Sequence, residues 1–194
     1  THGPPTNENA HPHTGCQGRV AAVHNGIVEN YADLREQLQA RGHEFSSDTD
    51  TEVIPHLVEE RLRAGVEPET AFRDAVAELE GSYAIAMMID GEQTVYATRS
   101  GSPLVVGVGD SATYLASDVP AFLEFTDRVV YLEDDDVAVL TPESYRITDG
   151  DGNTVTRPVE TVEWDDDDAE KGSYDHYMLK EIHEQPTALR QTLH

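Results

Sequence analysis

The 194-residue chain contains one cysteine, one tryptophan, four phenylalanines and only two lysines, Lys171 and Lys180, and nowhere does it carry a long apolar run. A lone Cys16 has no internal partner, so a disulfide framework is excluded and a reducing compartment is the natural setting. No segment approaches the roughly 20 apolar residues of a membrane-spanning helix. The opening Thr1-His2-Gly3-Pro4-Pro5 has neither the basic nor the apolar region of a secretory signal, and a cytoplasmic protein is expected. There is no internal repeat. Positive charge is scarce as well: 13 basic residues face 38 acidic ones, for a net charge of -25. Such a surface makes nucleic acid and anionic membranes poor partners.

The carboxylates are spread over the whole chain, between apolar stretches that read as core, and are not gathered into one tail. Self-repulsion of this size destabilises a compact state at low ionic strength, and molar salt screens it within a few ångströms. Adaptation to strong salt is therefore expected. The run at 165–168 reads as a solvated linker, with a metal site there the lesser alternative.

An apolar content of 38 % over this length suffices for one well-packed domain with a short appended segment. The first eighteen residues, rich in Gly, Pro, Asn and His, read as an ordered loop. A buried strand is expected over 19–24, followed by an Asn25-Gly26 turn. Because Ile27, Tyr31, Leu34 and Leu38 recur at helical spacing and Gly42 stands where a C-cap glycine belongs, that turn should lead into a helix. Thr49-Asp50-Thr51-Glu52 has the form of a capping box ahead of Val53, Leu57 and Leu62, with Pro55 tolerable in the first turn. A third helix is expected over about 67–79, ending at Gly81.

Strands then follow at 83–89, 94–98, 104–108, 113–116, 128–132, 136–140 and 145–148, separated by turn residues such as Asp90-Gly91. Closely spaced strands behind grouped helices imply an α+β fold with antiparallel sheets covered by helices. A domain boundary is expected near 164–165. Helical character returns over 177–193, where Pro186 should break or kink the helix.

Six strings carry chemistry: Thr1-His2-Gly3 with Pro5; Asn9-Ala10-His11-Pro12-His13; His24-Asn25-Gly26-Ile27-Val28-Glu29-Asn30; Thr49-Asp50-Thr51-Glu52; Arg99-Ser100-Gly101-Ser102-Pro103-Leu104; and Lys180-Glu181-Ile182-His183-Glu184-Gln185-Pro186. In order and spacing they resemble the glutaminase half of the glutamine:fructose-6-phosphate aminotransferase family, within the class II glutamine amidotransferases. The Asn9 to His13 and His24 to Asn30 strings also resemble relatives such as the glutamine phosphoribosylpyrophosphate amidotransferases, and the last two strings favour the sugar aminotransferases. A glutamine-binding module without catalysis is the alternative from another class.

The resemblance implies an N-terminal nucleophile hydrolase fold, a four-layer αββα sandwich, here incomplete at its N-terminus. It implies a glutaminase domain over 1–164, with 165–194 a linker and the start of a connection to a sugar isomerase domain. In that connection Ile182, Leu189 and Leu193 would cover part of the domain interface. It also implies a homodimeric intact enzyme without a cofactor, whose partners are glutamine and, through the isomerase domain, fructose 6-phosphate.

The family's nucleophile is an N-terminal cysteine whose own α-amino group moves the proton. This chain matches the family from an internal string onward, so a fragment incompetent alone is expected, with strand edges and apolar faces exposed. By the same resemblance Asn25 and Gly26 form the oxyanion hole, Asp50 receives the α-ammonium of glutamine, and Thr1 and His2 help bind it. Thr1 as a nucleophile and Cys16 as a catalytic thiol are minor alternatives. A zinc site from His2, His11, His13 and Cys16 fits no standard spacing, and no metal is expected.

Overall fold

The computed structural model describes residues 3–162 and 174–192. Contacts divide the chain into two compact units, Thr1–Thr161 and Val162–His194. Among the described residues the first holds the strands, in chain order β1 (His13–Thr14), β2 (Val20–Val28), β3 (Gly81–Ile89), β4 (Val95–Ser100), β5 (Val105–Val108), β6 (Thr113–Ala116), β7 (Arg128–Tyr131), β8 (Val137–Leu140), β9 (Tyr145–Thr148), β10 (Thr154–Val155) and β11 (Glu160–Thr161). Helices α1 (Tyr31–Ala40), α2 (Val53–Arg63) and α3 (Pro68–Val76) lie between β2 and β3, and a 3₁₀ turn spans Val119–Ala121.

The strands form two sheets, one of seven strands in the order β1-β2-β3-β4-β8-β9-β10 and one of four in the order β11-β7-β5-β6. Every ladder is antiparallel. Alternation decides which face each side chain joins. On β3, Tyr83, Ile85, Met87 and Ile89 face the helices, where they meet Leu38, Ile54, Leu57 and Phe72. Ala84 faces the other way and packs with Val106, Val130 and Leu140 between the two sheets. The small Ala84, Ala97 and Ala138 there let the sheets approach closely. On the outer side of the four-stranded sheet, Tyr114 stacks on Phe122 and Phe125, so the segment after the 3₁₀ turn covers that face. The layers are helices, sheet, sheet and this aromatic segment.

Several expectations needed correction. Asn25-Gly26 is not a turn: β2 runs straight through it, with Asn25 opposite Ala84 and Gly26 opposite Tyr83. Pairing with a long β3 outweighs the turn preference of the dipeptide. Ile27 therefore belongs to the strand, 49 % exposed, and α1 starts only at Tyr31. Gly42 has a φ of 90°, and the amides of Gly42 and His43 bond to Gln39 O and Leu38 O, the double bond of a Schellman cap.

Thr49 caps nothing. The residue preceding α2 is Glu52, and no side chain caps its first turn. The short β1, β10 and β11 went unforeseen, because two-residue strands carry no periodicity. In the second unit α4 (Tyr177–Thr192) continues through Pro186, where a break or kink was expected. Its Ile182 and Leu189 are exposed, and Leu193 lies outside the described residues. No helix among the described residues is long and apolar enough to cross a membrane.

Candidate active site

Asn25 and Gly26 sit near the end of β2, and the 47–52 loop arrives beside them just before α2. Asn25, Gly26, Thr49, Asp50 and Thr51 line one cavity of about 210 Å³, closed on another side by His11 and His24. Ligand pockets for larger molecules run from about 300 Å³ upward, so this volume suits an amino acid better than a nucleotide.

Asp50 is 2 % exposed, and its Oδ2 accepts the Val28 N–H at 2.8 Å. That charge-assisted bond fixes the buried carboxylate at the cavity wall. Asn25 alternates to the open side of β2, and its carboxamide bonds to no described residue, so both its donors are available to a ligand. Gly26 has a φ of 121°, and a Cβ there would stand 2.0 Å from Ser82 O. Only glycine fits, and it brings the backbone to the cavity wall with no side chain in the way.

The walls are held by a buried polar network. His24 Nδ1 lies 3.0 Å from Thr51 Oγ1, and His13 Nε2 lies 3.2 Å from Thr49 Oγ1. Burial, and then the neighbouring His11, lower the His13 pKa. Burial likewise lowers that of His11, against the pull of Asp50. Both rings are therefore neutral near pH 7. Glu52 anchors the loop: its carboxylate accepts the Ser46 and Ser47 amides, each at 2.7 Å, and both serine hydroxyls. Burial opposes its ionisation, yet His56 and these donors outweigh burial and hold its pKa at about 2. What resembles a capping box is instead a loop clamped from inside by Glu52, with Asp50 at its apex.

The structure thus brings Asn25, Gly26 and Asp50 together, while Thr1 and His2 lie outside the described residues, as does the 165–168 run. His11 and His13 do not converge with Cys16. The Cys16 Sγ lies instead 3.6 Å and 3.5 Å from Nδ1 of His43 and of His56. Neither histidine was singled out in the sequence, since they stand 27 and 40 residues further along. His24 and Thr51 were also missed as wall residues, although both occur in the strings quoted above.

A larger cavity, about 740 Å³, lies elsewhere, along Met88, Val95, Tyr114 and Leu140. Its one carboxylate, Glu92, accepts the Tyr96 hydroxyl at 2.7 Å. It is an apolar cleft without a convergent polar set, so the smaller cavity is the candidate site.

A strand-end Asn-Gly pair and a buried carboxylate thus line one small cavity. The family model of the glutamine amidotransferase domain matches residues 5–124, and the chain belongs to that family. Among curated relatives, the glutamine–fructose-6-phosphate aminotransferases (isomerizing) of Methanothermobacter thermautotrophicus and Halobacterium salinarum are each 53 % identical to it across the whole chain. The chain spans about a third of their length, 33 % and 32 % respectively. Among solved structures, glutamine phosphoribosylpyrophosphate amidotransferase from B. subtilis superposes with a TM-score of 0.65 at 26 % identity, over 77 % of this chain and 33 % of that one. The sheets described above are therefore those of an amidotransferase with an N-terminal nucleophile fold.

Proposed function

We propose that the chain is the glutamine-hydrolysing part of a glutamine:fructose-6-phosphate aminotransferase, whose ammonia goes to the synthesis of glucosamine 6-phosphate. The observation that carries this reading is the shared cavity of Asn25, Gly26 and Asp50. Asp50 takes the α-ammonium of glutamine through a charge-assisted bond. The Asn25 amide and the Gly26 N–H stabilise the oxyanion that forms when the side-chain amide is attacked. Thr1 and His2 complete the glutamine contacts, as the resemblance implies.

By the same resemblance the attacking group is an N-terminal cysteine, which these 194 residues do not carry. Cys16 is not that group, since it is absent from the cavity lining and packs against His43 and His56. Val23, Ile27 and Met88, 42 to 50 % exposed on one side of β2 and β3, support further strands packing there in the intact enzyme. Fructose 6-phosphate recognition, a cytoplasmic setting and a homodimer belong to the same proposal. The phosphoribosylpyrophosphate amidotransferases share the fold, but 53 % identity against 26 % favours the sugar acceptor.

The test is steady-state glutamine hydrolysis by the intact protein, followed by glucosamine 6-phosphate formation on addition of fructose 6-phosphate. Asn25→Ala should lower kcat by about a hundredfold or more while leaving KM within a few-fold. Asp50→Asn should raise KM by about tenfold or more, the loss of one charge-assisted bond. Equal effects of Asn25→Ala on kcat and on glutamine binding would contradict the oxyanion role.

A further inference from the structure

Away from the glutamine cavity, four potential ligands converge on one point. Cys16 comes from the loop between β1 and β2, His43 from the loop after α1, and His56 and Glu59 from one face of α2, three residues apart. Their donor atoms all lie within 4.8 Å of one another. The inner three are closer: the Nδ1 atoms of His43 and His56 are 3.1 Å apart, and Cys16 Sγ is 3.6 Å and 3.5 Å from them. A tetrahedral zinc ion, with Zn–S of about 2.3 Å and Zn–N of about 2.0–2.1 Å, spaces its ligands about 3.6 Å apart from S to N and about 3.4 Å from N to N. The two sulfur–nitrogen sides have those lengths, and the nitrogen–nitrogen side is about 0.3 Å shorter.

We propose that Cys16, His43, His56 and Glu59 form a structural zinc site. This departs from the sequence expectation of no metal and stands independently of the glutaminase reading. Three observations support it beyond distance. A thiolate, two imidazoles and a carboxylate form a donor set suited to zinc, softer than calcium or magnesium accept.

His56 is fully buried and aims Nδ1 at the centre; its Nε2 has no hydrogen-bond partner within normal reach but lies 3.6 Å from Glu52 Oε1. A metal on Nδ1 leaves the proton on Nε2, facing that carboxylate, which is the outer-shell arrangement that orients ligating histidines. Glu59, 1 % exposed, is held by the Gln17 N–H at 2.9 Å and by Arg63 at 3.0 Å. Its carboxylate, within the same 4.8 Å as the other donors, is the fourth ligand. Gly15 makes room for this, because a Cβ at that position would lie 2.7 Å from the Glu59 carboxyl carbon.

On binding, the Cys16 S–H bond breaks, its proton goes to water, and the sulfur lone pair forms the bond to zinc. The ion pins the loops at 15–19 and 43–47 to α2. The second loop continues directly into Thr49, Asp50 and Thr51, so the metal steadies the segment that lines the smaller cavity.

The test uses the intact protein without a polyhistidine tag. Zinc is measured by mass spectrometry of the purified sample, and the chelator-stripped protein is then titrated with Co²⁺ alone and read by absorption. Roughly one zinc per chain is expected, with a thiolate-to-cobalt charge-transfer band and the intense d–d bands of a tetrahedral site. Cys16→Ser should lose the charge-transfer band and weaken zinc binding by about a hundredfold or more, and His183→Gln, on α4, should change neither. Weak octahedral cobalt absorption in the wild type, or zinc no higher than in Cys16→Ser, would overturn the proposal and leave a hydrogen-bonded Cys-His-His cluster. If Cys16→Ser fails to fold, the wild-type cobalt spectrum decides by itself.

Discussion

At the scale of single residues, the site was partly legible in the sequence. Asn25, Gly26 and Asp50 stood out as members of strings whose order and spacing resemble a known family, and the fold places them around one cavity. Their local setting was less legible. Asn-Gly signals a tight turn, and only the nine-residue pairing of β2 with β3 shows why no turn forms. Gly26 is where this matters most. Its φ of 121°, and the 2.0 Å that would separate a Cβ from Ser82 O, leave no place for a side chain. Gly26→Ala should therefore cost about 3 kcal/mol or more, read as a lower midpoint in urea unfolding. A variant as stable as the parent would show that β2 can shift away from β3 there. The Cys16, His43 and His56 cluster was invisible beforehand for a different reason: its members are brought together by α1 and its Schellman cap, and no local spacing encodes that.

At the scale of elements, periodicity carried most of the fold. The strands at 113–116 and 145–148 have the expected bounds, and the others differ by a few residues at their ends. Period-2 alternation shows on β3, where Tyr83, Ile85 and Met87 join the layer under the helices and Ala84 the layer between the sheets. Capping was misread where a polar string served the site: Thr49 and Glu52 spend their side chains on His13, Ser46 and Ser47, leaving α2 without a cap. At Pro186, where a break or a kink is expected, there is no break and α4 carries on.

The α3 helix is fastened to β9 by charge. Glu69 in its first turn binds Arg146 at 2.5 Å and Arg73 at 3.2 Å. The hydrogen bond from Arg146, opposed by burial, lowers the Glu69 pKa from its ordinary 4.5. Because the folded value is depressed, this stability is fully present above about pH 4.5 and is lost as pH falls through the lower folded value. The groups are partly exposed, so the effect should be no more than about 1 kcal/mol. Glu69→Gln should flatten the acid limb of the stability profile by that amount, and an unchanged profile would remove the pair from the account.

At the scale of the whole molecule, a net charge of -25 acts on a surface whose core is otherwise ordinarily packed. Composition made this legible at once, while the inter-sheet face left open by Val23, Ile27 and Met88 is a matter of layering that only the fold reveals. Raising KCl from about 0.1 M to about 2 M shortens the screening length from about 10 Å to a few ångströms, and should raise the melting temperature by several degrees. A melting temperature that falls over this range would contradict adaptation to salt.

The central claim, that glutamine binds between the end of β2 and the loop before α2, is tested most directly by hydrogen–deuterium exchange of the intact protein with and without saturating glutamine. Glutamine should slow exchange in peptides covering 24–28 and 47–52, and Asp50→Asn should abolish that protection. Protection confined to peptides lining the apolar cleft, at 92–95 and 113–115, or protection at 47–52 that survives Asp50→Asn, would contradict it.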